Sequence, residues 1–115
     1  MAGDLRTVNL EDGHPPVDAA LRRLSFELRH SRNTGVAVLK LIHGYGSSGP
    51  GGRIRVEARR LLARMTAGRE LRAIIPGEQF SIFDEATRAA FLRCGALRQD
   101  PDLERHNNGV TFIVF

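Results

Sequence analysis

The sequence has little of what marks a secreted, membrane-spanning or nucleotide-binding protein. Its single cysteine, Cys94, excludes an intrachain disulfide and argues against a thiolate metal cage. No stretch reaches the ~18 consecutive apolar residues of a membrane span, and residues 1–6 lack the apolar core of a signal peptide. There is no GxxxxGK[ST] sequence, nor does a GxGxxG turn open directly off a predicted strand. We therefore expect a cytoplasmic protein without a membrane partner.

What the chain does contain is an uneven distribution of positive charge. Its 115 residues, 42% of them hydrophobic, are enough for one domain over residues 1–115. The net charge is only +4, but residues 51–75 carry seven basic and two acidic side chains, whereas residues 76–115 carry four and six. Sixteen of the seventeen basic residues are arginine, which suits bidentate phosphate contacts. A general preference for arginine over lysine explains that ratio, but it does not explain the clustering.

Hydrophobic periodicity predicts an alternation of strands and helices. Apolar residues recur at helical spacing after Pro16, after the glycine-rich segment and after Ser81, whereas residues 36–42 are apolar except for Lys40. The first two strands, joined through a helix, should be parallel. The predicted fold class is α/β, a two-layer sandwich with a mixed four-stranded sheet and three helices. Strands are expected at residues 6–10, 36–42, 71–75 and 110–115, and helices at about 16–33, 53–66 and 81–91.

A glycine-rich segment connects the second predicted strand to the most basic helix. It runs from His43 to Gly52 and contains five glycines and two serines. Glycines let a backbone approach a ligand closely, and the first N–H groups of a helix lack internal partners, so both favour phosphate binding. The alternative is a merely flexible connection. Ligands of open α/β sheets bind beyond the carboxyl ends of the strands, where this segment should meet the turn at residues 11–14.

The order of these features resembles the Smr domain, the small MutS-related family. His43-Gly44-Tyr45-Gly46 matches the HGxG motif of that family at the end of a buried strand, and residues 109–114 are similar to its closing GVTxV-like strand. Where the family has an LDLHG-like motif, this chain has Val8-Asn9-Leu10-Glu11-Asp12-Gly13. An extra helix and loop at about 76–105 also exceed the usual connection of the family. The chain thus resembles a divergent Smr domain.

The resemblance implies a fold similar to the C-terminal domain of translation initiation factor three. It also implies nucleic-acid binding, with RNA or DNA as the partner, and, as in several members of the family, endonuclease activity. In a binding module, the glycine-rich segment and the basic helix would contact phosphates. The residues expected to make these contacts are Gly44, Tyr45, Gly46, Ser47, Ser48, Gly49, Arg53, Arg55, Arg59 and Arg60.

A metal-assisted endonuclease is the alternative function. His43 would act as general acid or base on a phosphodiester, and Glu11 or Asp12 would bind Mg²⁺ or act as the base. The competing interpretations are a histidine that pins its loop and an ordinary acidic turn. Because the histidine of the LDLHG-like motif is missing, the sequence favours binding over catalysis.

Overall fold

The computed structural model describes residues 3–45 and 49–115, which form a mixed four-stranded sheet and three α-helices. This is the predicted α/β class. The strands are β1 (Asp4–Asn9), β2 (Val36–Ile42), β3 (Ala73–Pro76) and β4 (Val110–Val114), and the helices are α1 (Val17–Asn33), α2 (Gly49–Ala67) and α3 (Glu85–Arg93). No helix in the described part of the chain is long and apolar enough to cross a membrane.

The strands are ordered β1-β2-β4-β3 across the sheet. Strands β1 and β2 are parallel, as predicted, with Val8 opposite Leu41. Strand β4 runs antiparallel to both of its neighbours, and Thr111 lies opposite Leu41 on one side and Pro76 on the other. The carboxyl ends of β1, β2 and β3 therefore meet the beginning of β4 at one edge of the sheet.

Both faces of the sheet are covered. Because side chains alternate along a strand, Leu39 and Leu41 of β2 pack among residues of α1 and α2, whereas Val38 packs on the other face. All three are fully buried, which explains why β2 is an almost unbroken apolar run. Helices α1 and α2 cover one face of the sheet, and residues 77–103, which include α3, cover the opposite face.

The additional segment at 76–105 is an integral part of the core. Phe80 stacks on Phe112 of β4 with ring centroids 4.0 Å apart, and Phe91 of α3 meets Phe80 edge-on. Cys94 lies in the same apolar cluster and is fully buried, and burial raises the pKa of its thiol. In such surroundings a free cysteine packs as a small hydrophobe.

Some element boundaries differ from the predicted ones. Helix α2 begins at Gly49, four residues earlier than predicted, so the last four of the ten residues of the glycine-rich segment are helical. Strand β3 begins at Ala73, two residues later than predicted. Two short 3₁₀ helices, Gly77–Gln79 and Gly95–Gln99, lie in stretches that showed no periodicity. Short 3₁₀ turns rarely leave a sequence signal because they span too few residues for a repeat.

A buried ion cluster attaches the additional segment to the sheet. The Lys40 ammonium on β2 lies 2.9 Å from Asp100 Oδ1 and 2.7 Å from Asp102 Oδ2. Burial alone would lower the pKa of Lys40, but the two carboxylates more than offset it and raise that pKa. The only polar position of the β2 run is therefore the anchor for a segment 60 residues away.

We predict that Lys40→Met lowers the free energy of unfolding by about 3–5 kcal/mol, because it leaves the carboxylates of Asp100 and Asp102 buried without a cation. Urea denaturation would measure the change. The control is Arg22→Met, which breaks an exposed pair with Asp18 and should cost less than about 1 kcal/mol. Adding both Asp→Asn changes to Lys40→Met should restore part of the loss, and no restoration would contradict this explanation.

Candidate nucleic-acid interface

The carboxyl edge of the sheet brings together four segments that are distant in sequence. They are the turn after β1, the loop after β2, the turn after β3 and the residues that enter β4. His43 N and Gly44 N both donate to the carbonyl of Gly109, which fixes the second of these segments to the fourth. The middle of α2 is joined to the same edge, since Arg59 reaches Thr111 at the start of β4.

The turn after β1 touches the HGxG-like sequence. Gly44 has φ +73°, which favours glycine. The Glu11 carboxylate occupies the place that a Cβ on Gly44 would take, so a larger residue would also displace that side chain. Asp12 is exposed, and neither it nor His14 joins this contact among the described residues. The structure thus brings the Glu11 side chain to Gly44, but leaves Asp12 at the surface.

His43 is fully buried at the end of β2, and its hydrogen bonds define its tautomer. Its Nδ1 lies 2.8 Å from the carbonyl oxygen of Gly44, which can only accept, so Nδ1 carries the proton. Nε2 is then an acceptor, and the Thr111 hydroxyl donates to it at 2.8 Å. Arg59 Nε donates in turn to the Thr111 oxygen at 3.1 Å. Both ring nitrogens are therefore engaged within the protein.

The electrostatic surroundings keep this imidazole neutral. Burial, with further contributions from the Arg59 and Arg55 guanidiniums, lowers the pKa of His43 to about 4, against the ordinary value of 6.5. At neutral pH the ring is uncharged, as the hydrogen-bond pattern requires. Proton transfer near neutrality is most effective with a group whose pKa lies near the working pH, and this one lies far below it.

The Arg59 side chain is occupied by contacts within the protein. Its guanidinium forms a bidentate pair with the Glu78 carboxylate, at 2.8 and 2.7 Å, and donates to the carbonyls of Asn108 and Val110. The hydrogen bond from Arg59 lowers the pKa of Glu78, so the pair remains charged well below neutral pH. Helix α2 is thereby joined to the ends of β3 and β4, and little of this guanidinium is left for a ligand.

The other three expected arginines are in different environments. Arg55 is half-buried, and its Nε has no hydrogen-bond partner among residues 3–45 and 49–115, although the atom itself is inaccessible. Arg53 is exposed at the start of α2. Arg60 is exposed too, and pairs with Glu57 one turn before it at 2.7 Å. Exposed pairs of this kind are weak, so both Arg53 and Arg60 are accessible to an anionic partner.

Tyr45 completes the described part of the loop. Its side chain is 62% exposed, and its ring lies on Gly109, where an added Cβ would come within 2.8 Å of the ring. One face of the ring is thus supported by backbone. Gly46, Ser47 and Ser48, also expected to contact nucleic acid, lie outside the described residues, and Gly49 is the first residue of α2.

Sequence analysis missed two residues of this site. Thr111 is the hydrogen-bond bridge between His43 and Arg59, and the signal for it was one hydroxyl in an otherwise apolar terminal strand. Glu78 is the partner of Arg59, and its local signal was only an acidic residue just after Pro76. The partners of these residues could not be identified from the sequence. Thr111 lies 68 residues from His43, and Glu78 lies 19 residues from Arg59.

Among the described residues, the surroundings of the loop support neither a dinucleotide-binding turn nor a metal site. Gly44, Gly46 and Gly49 have the spacing of a dinucleotide-binding turn, but that turn belongs to a βαβ unit with adjacent parallel strands. Here β4 separates β2 from β3. In addition, no group of three or more His, Cys, Asp or Glu side chains within the described ranges is placed to hold a metal ion.

Comparisons with known proteins do not assign the chain. It matches no protein-family model, no curated protein and no solved structure.

We predict that His43 makes the protein less stable in acid. Between pH 6.5 and about 4 the unfolded chain binds a proton at His43 that the folded protein excludes, so the free energy of unfolding falls as the pH falls through this window. The loss should approach about 3 kcal/mol near pH 4. Urea denaturation at several pH values would measure the free energy of unfolding of the wild type and of His43→Gln. The difference between the two pH profiles is the contribution of His43. An NMR titration that places the pKa of His43 near 6.5 would contradict the prediction.

Proposed function

We propose that this chain is a divergent Smr-like domain that binds RNA or DNA, contacting phosphates through the loop at 43–52 and the basic helix that follows. The observation that carries the proposal is the place of α2. It follows the loop that leaves β2 at the carboxyl edge of the sheet, its Arg59 reaches Thr111 at the start of β4, and Arg53 and Arg60 are exposed on it. Helix N-termini and guanidiniums both favour phosphate, so this helix suits phosphate binding.

Charge is divided between the two sides of the sheet in a way that supports this proposal. The helical layer of α1 and α2 exposes arginines and few carboxylates, whereas residues 76–115 carry six acidic and four basic side chains. A one-sided positive surface attracts polyanions and speeds their association. The exposed arginines of this layer are Arg22, Arg23, Arg29, Arg32, Arg53, Arg60 and Arg64.

The arginines of α2 have different roles in this proposal. Arg59 maintains the site through Glu78 and Thr111, while Arg53 and Arg60 contact the ligand because they are exposed. Backbone donors and arginines recognise phosphates without reading bases, so binding should depend little on sequence and strongly on salt.

Binding is better supported than cleavage. A nuclease would need a His43 nitrogen within hydrogen-bond reach of substrate, whereas here Nδ1 and Nε2 are bonded to Gly44 and Thr111 inside a fully buried ring. This is the geometry of a pin that holds the loop. The Glu11 carboxylate, packed on Gly44, has the same effect from the other side of the loop.

The place of the HGxG-like sequence supports the Smr-like part of the proposal. It follows a buried strand that is parallel to β1 and adjacent to the closing strand β4, with Thr111 of the GVTxV-like stretch bonded to His43. The two stretches that carry the resemblance are therefore in contact.

We expect Arg53→Glu with Arg60→Glu to weaken binding of a labelled RNA or DNA oligonucleotide at least tenfold, because two phosphate contacts become repulsive. Fluorescence anisotropy at low salt would measure the affinity. The matched control is Arg88→Glu with Arg105→Glu, two exposed arginines of the 76–105 segment, which should have a much smaller effect. Arg59 is unsuitable for this test, because its loss would break the pair with Glu78.

The same assay tests the electrostatic origin of binding. Raising salt from about 50 to about 200 mM should weaken wild-type binding at least several-fold if a few phosphates are neutralised. Equal effects of the two double variants would remove the role given to α2. A wild-type protein that binds no RNA and no DNA at low salt would refute the proposed function.

A further inference from the structure

An aromatic pair stands exposed on the outer side of α1. Phe26 is 58% exposed, and its ring is stacked on that of His30, with centroids 5.9 Å apart and planes 5° from parallel. At this exposure the ring of Phe26 is open to a planar ligand. The parallel stack offers a flat apolar face to a third planar group.

Arginines surround this pair. Arg22 and Arg29 lie four residues before and three residues after Phe26, so both are its neighbours on the helix surface. Arg29 also lines a groove of about 500 Å³ between α1 and α2, together with Arg32 and Arg64. Leu28, Leu61 and Met65 supply the apolar part of its lining, and Glu70 is its one acidic residue, so the lining keeps an excess of positive charge.

A second hollow lies between the N-terminal parts of α1 and α2. Arg53 lines it together with Asp18 and Glu57, so it is less positive than the groove beside Arg29. The side chains of Arg53, Arg60 and Arg64 recur at intervals of seven and four residues, so they form one stripe along α2. This stripe leads along α2 to the groove beside Arg29, which Arg64 also lines. It extends the proposed phosphate-binding surface by about 16 Å along the helix.

We infer that this surface takes single-stranded nucleic acid, whose phosphates lie along the α1–α2 groove and one of whose bases stacks on the Phe26–His30 pair. This inference rests on the proposed function and specifies its substrate. Bases of a duplex are already stacked on each other, so only an unpaired base can lie on an exposed ring. Duplex would use the arginines and leave the aromatic pair uncovered.

Tryptophan fluorescence tests this directly. The chain has no tryptophan, so Phe26→Trp places a single indole reporter at the pair. A single-stranded oligonucleotide should quench that fluorescence at the concentrations where anisotropy shows binding. The matched control is Phe83→Trp, at a position 83% exposed just before α3, which should show little quenching. Duplex of the same length should quench Phe26→Trp much less than the single strand does.

Affinity measurements supply a second readout that does not depend on the reporter. Phe26→Ala should weaken single-strand binding by roughly fivefold or more, whereas Phe26→Tyr, which keeps a ring, should restore affinity close to that of the wild type. Thermal unfolding of both variants should be little changed, because the side chain is exposed.

The outcomes separate this inference from the proposed function. Oligonucleotide binding by anisotropy without quenching of Phe26→Trp, or with equal quenching by duplex, would overturn the single-strand assignment and leave phosphate binding intact. Failure of the wild type to bind any oligonucleotide would overturn both.

Discussion

The binding edge depends on one chain of hydrogen bonds that runs from Glu78 through Arg59 and Thr111 to His43. Each member has one direction available: the carboxylate accepts from Arg59, Arg59 Nε donates to the Thr111 hydroxyl, and that hydroxyl donates to His43 Nε2. The remaining proton of the imidazole goes to the Gly44 carbonyl. Because every link connects a different element, the chain sets the position of α2 relative to three strands.

This arrangement works only with a neutral imidazole. A second proton on Nε2 would face the Thr111 oxygen, which already accepts from the Arg59 guanidinium, and would add a positive charge in a buried place. Burial is the main cause of the low pKa of His43, and the guanidiniums of Arg59 and Arg55 add to it. These two arginines of α2 thus help to keep the histidine uncharged, whereas Arg53 and Arg60 are exposed to a polyanion.

Local patterns predicted much of the fold, whereas the contacts that build the site could not be predicted. The apolar run 36–42 gave the bounds of β2 as observed, and its parallel pairing with β1 followed from the helix between them. The early start of α2 was missed because glycines are poor helix formers, and here they are accommodated at a helix end. Glu78 and Thr111 were missed because their partners come close only through the sheet topology.

The clustered arginines of α2 have different roles, which can be recognised only from their contacts. Four arginines within eight residues of α2 look equivalent, yet Arg59 is bonded to Glu78, Arg55 is half-buried beside His43, and only Arg53 and Arg60 are exposed. An arginine inside the site preserves the loop, whereas an arginine outside it supplies charge. Removing the first kind would therefore change binding through the fold, and removing the second kind would change binding through electrostatics alone. That difference allows stability measurements to separate the two roles wherever an arginine variant binds poorly.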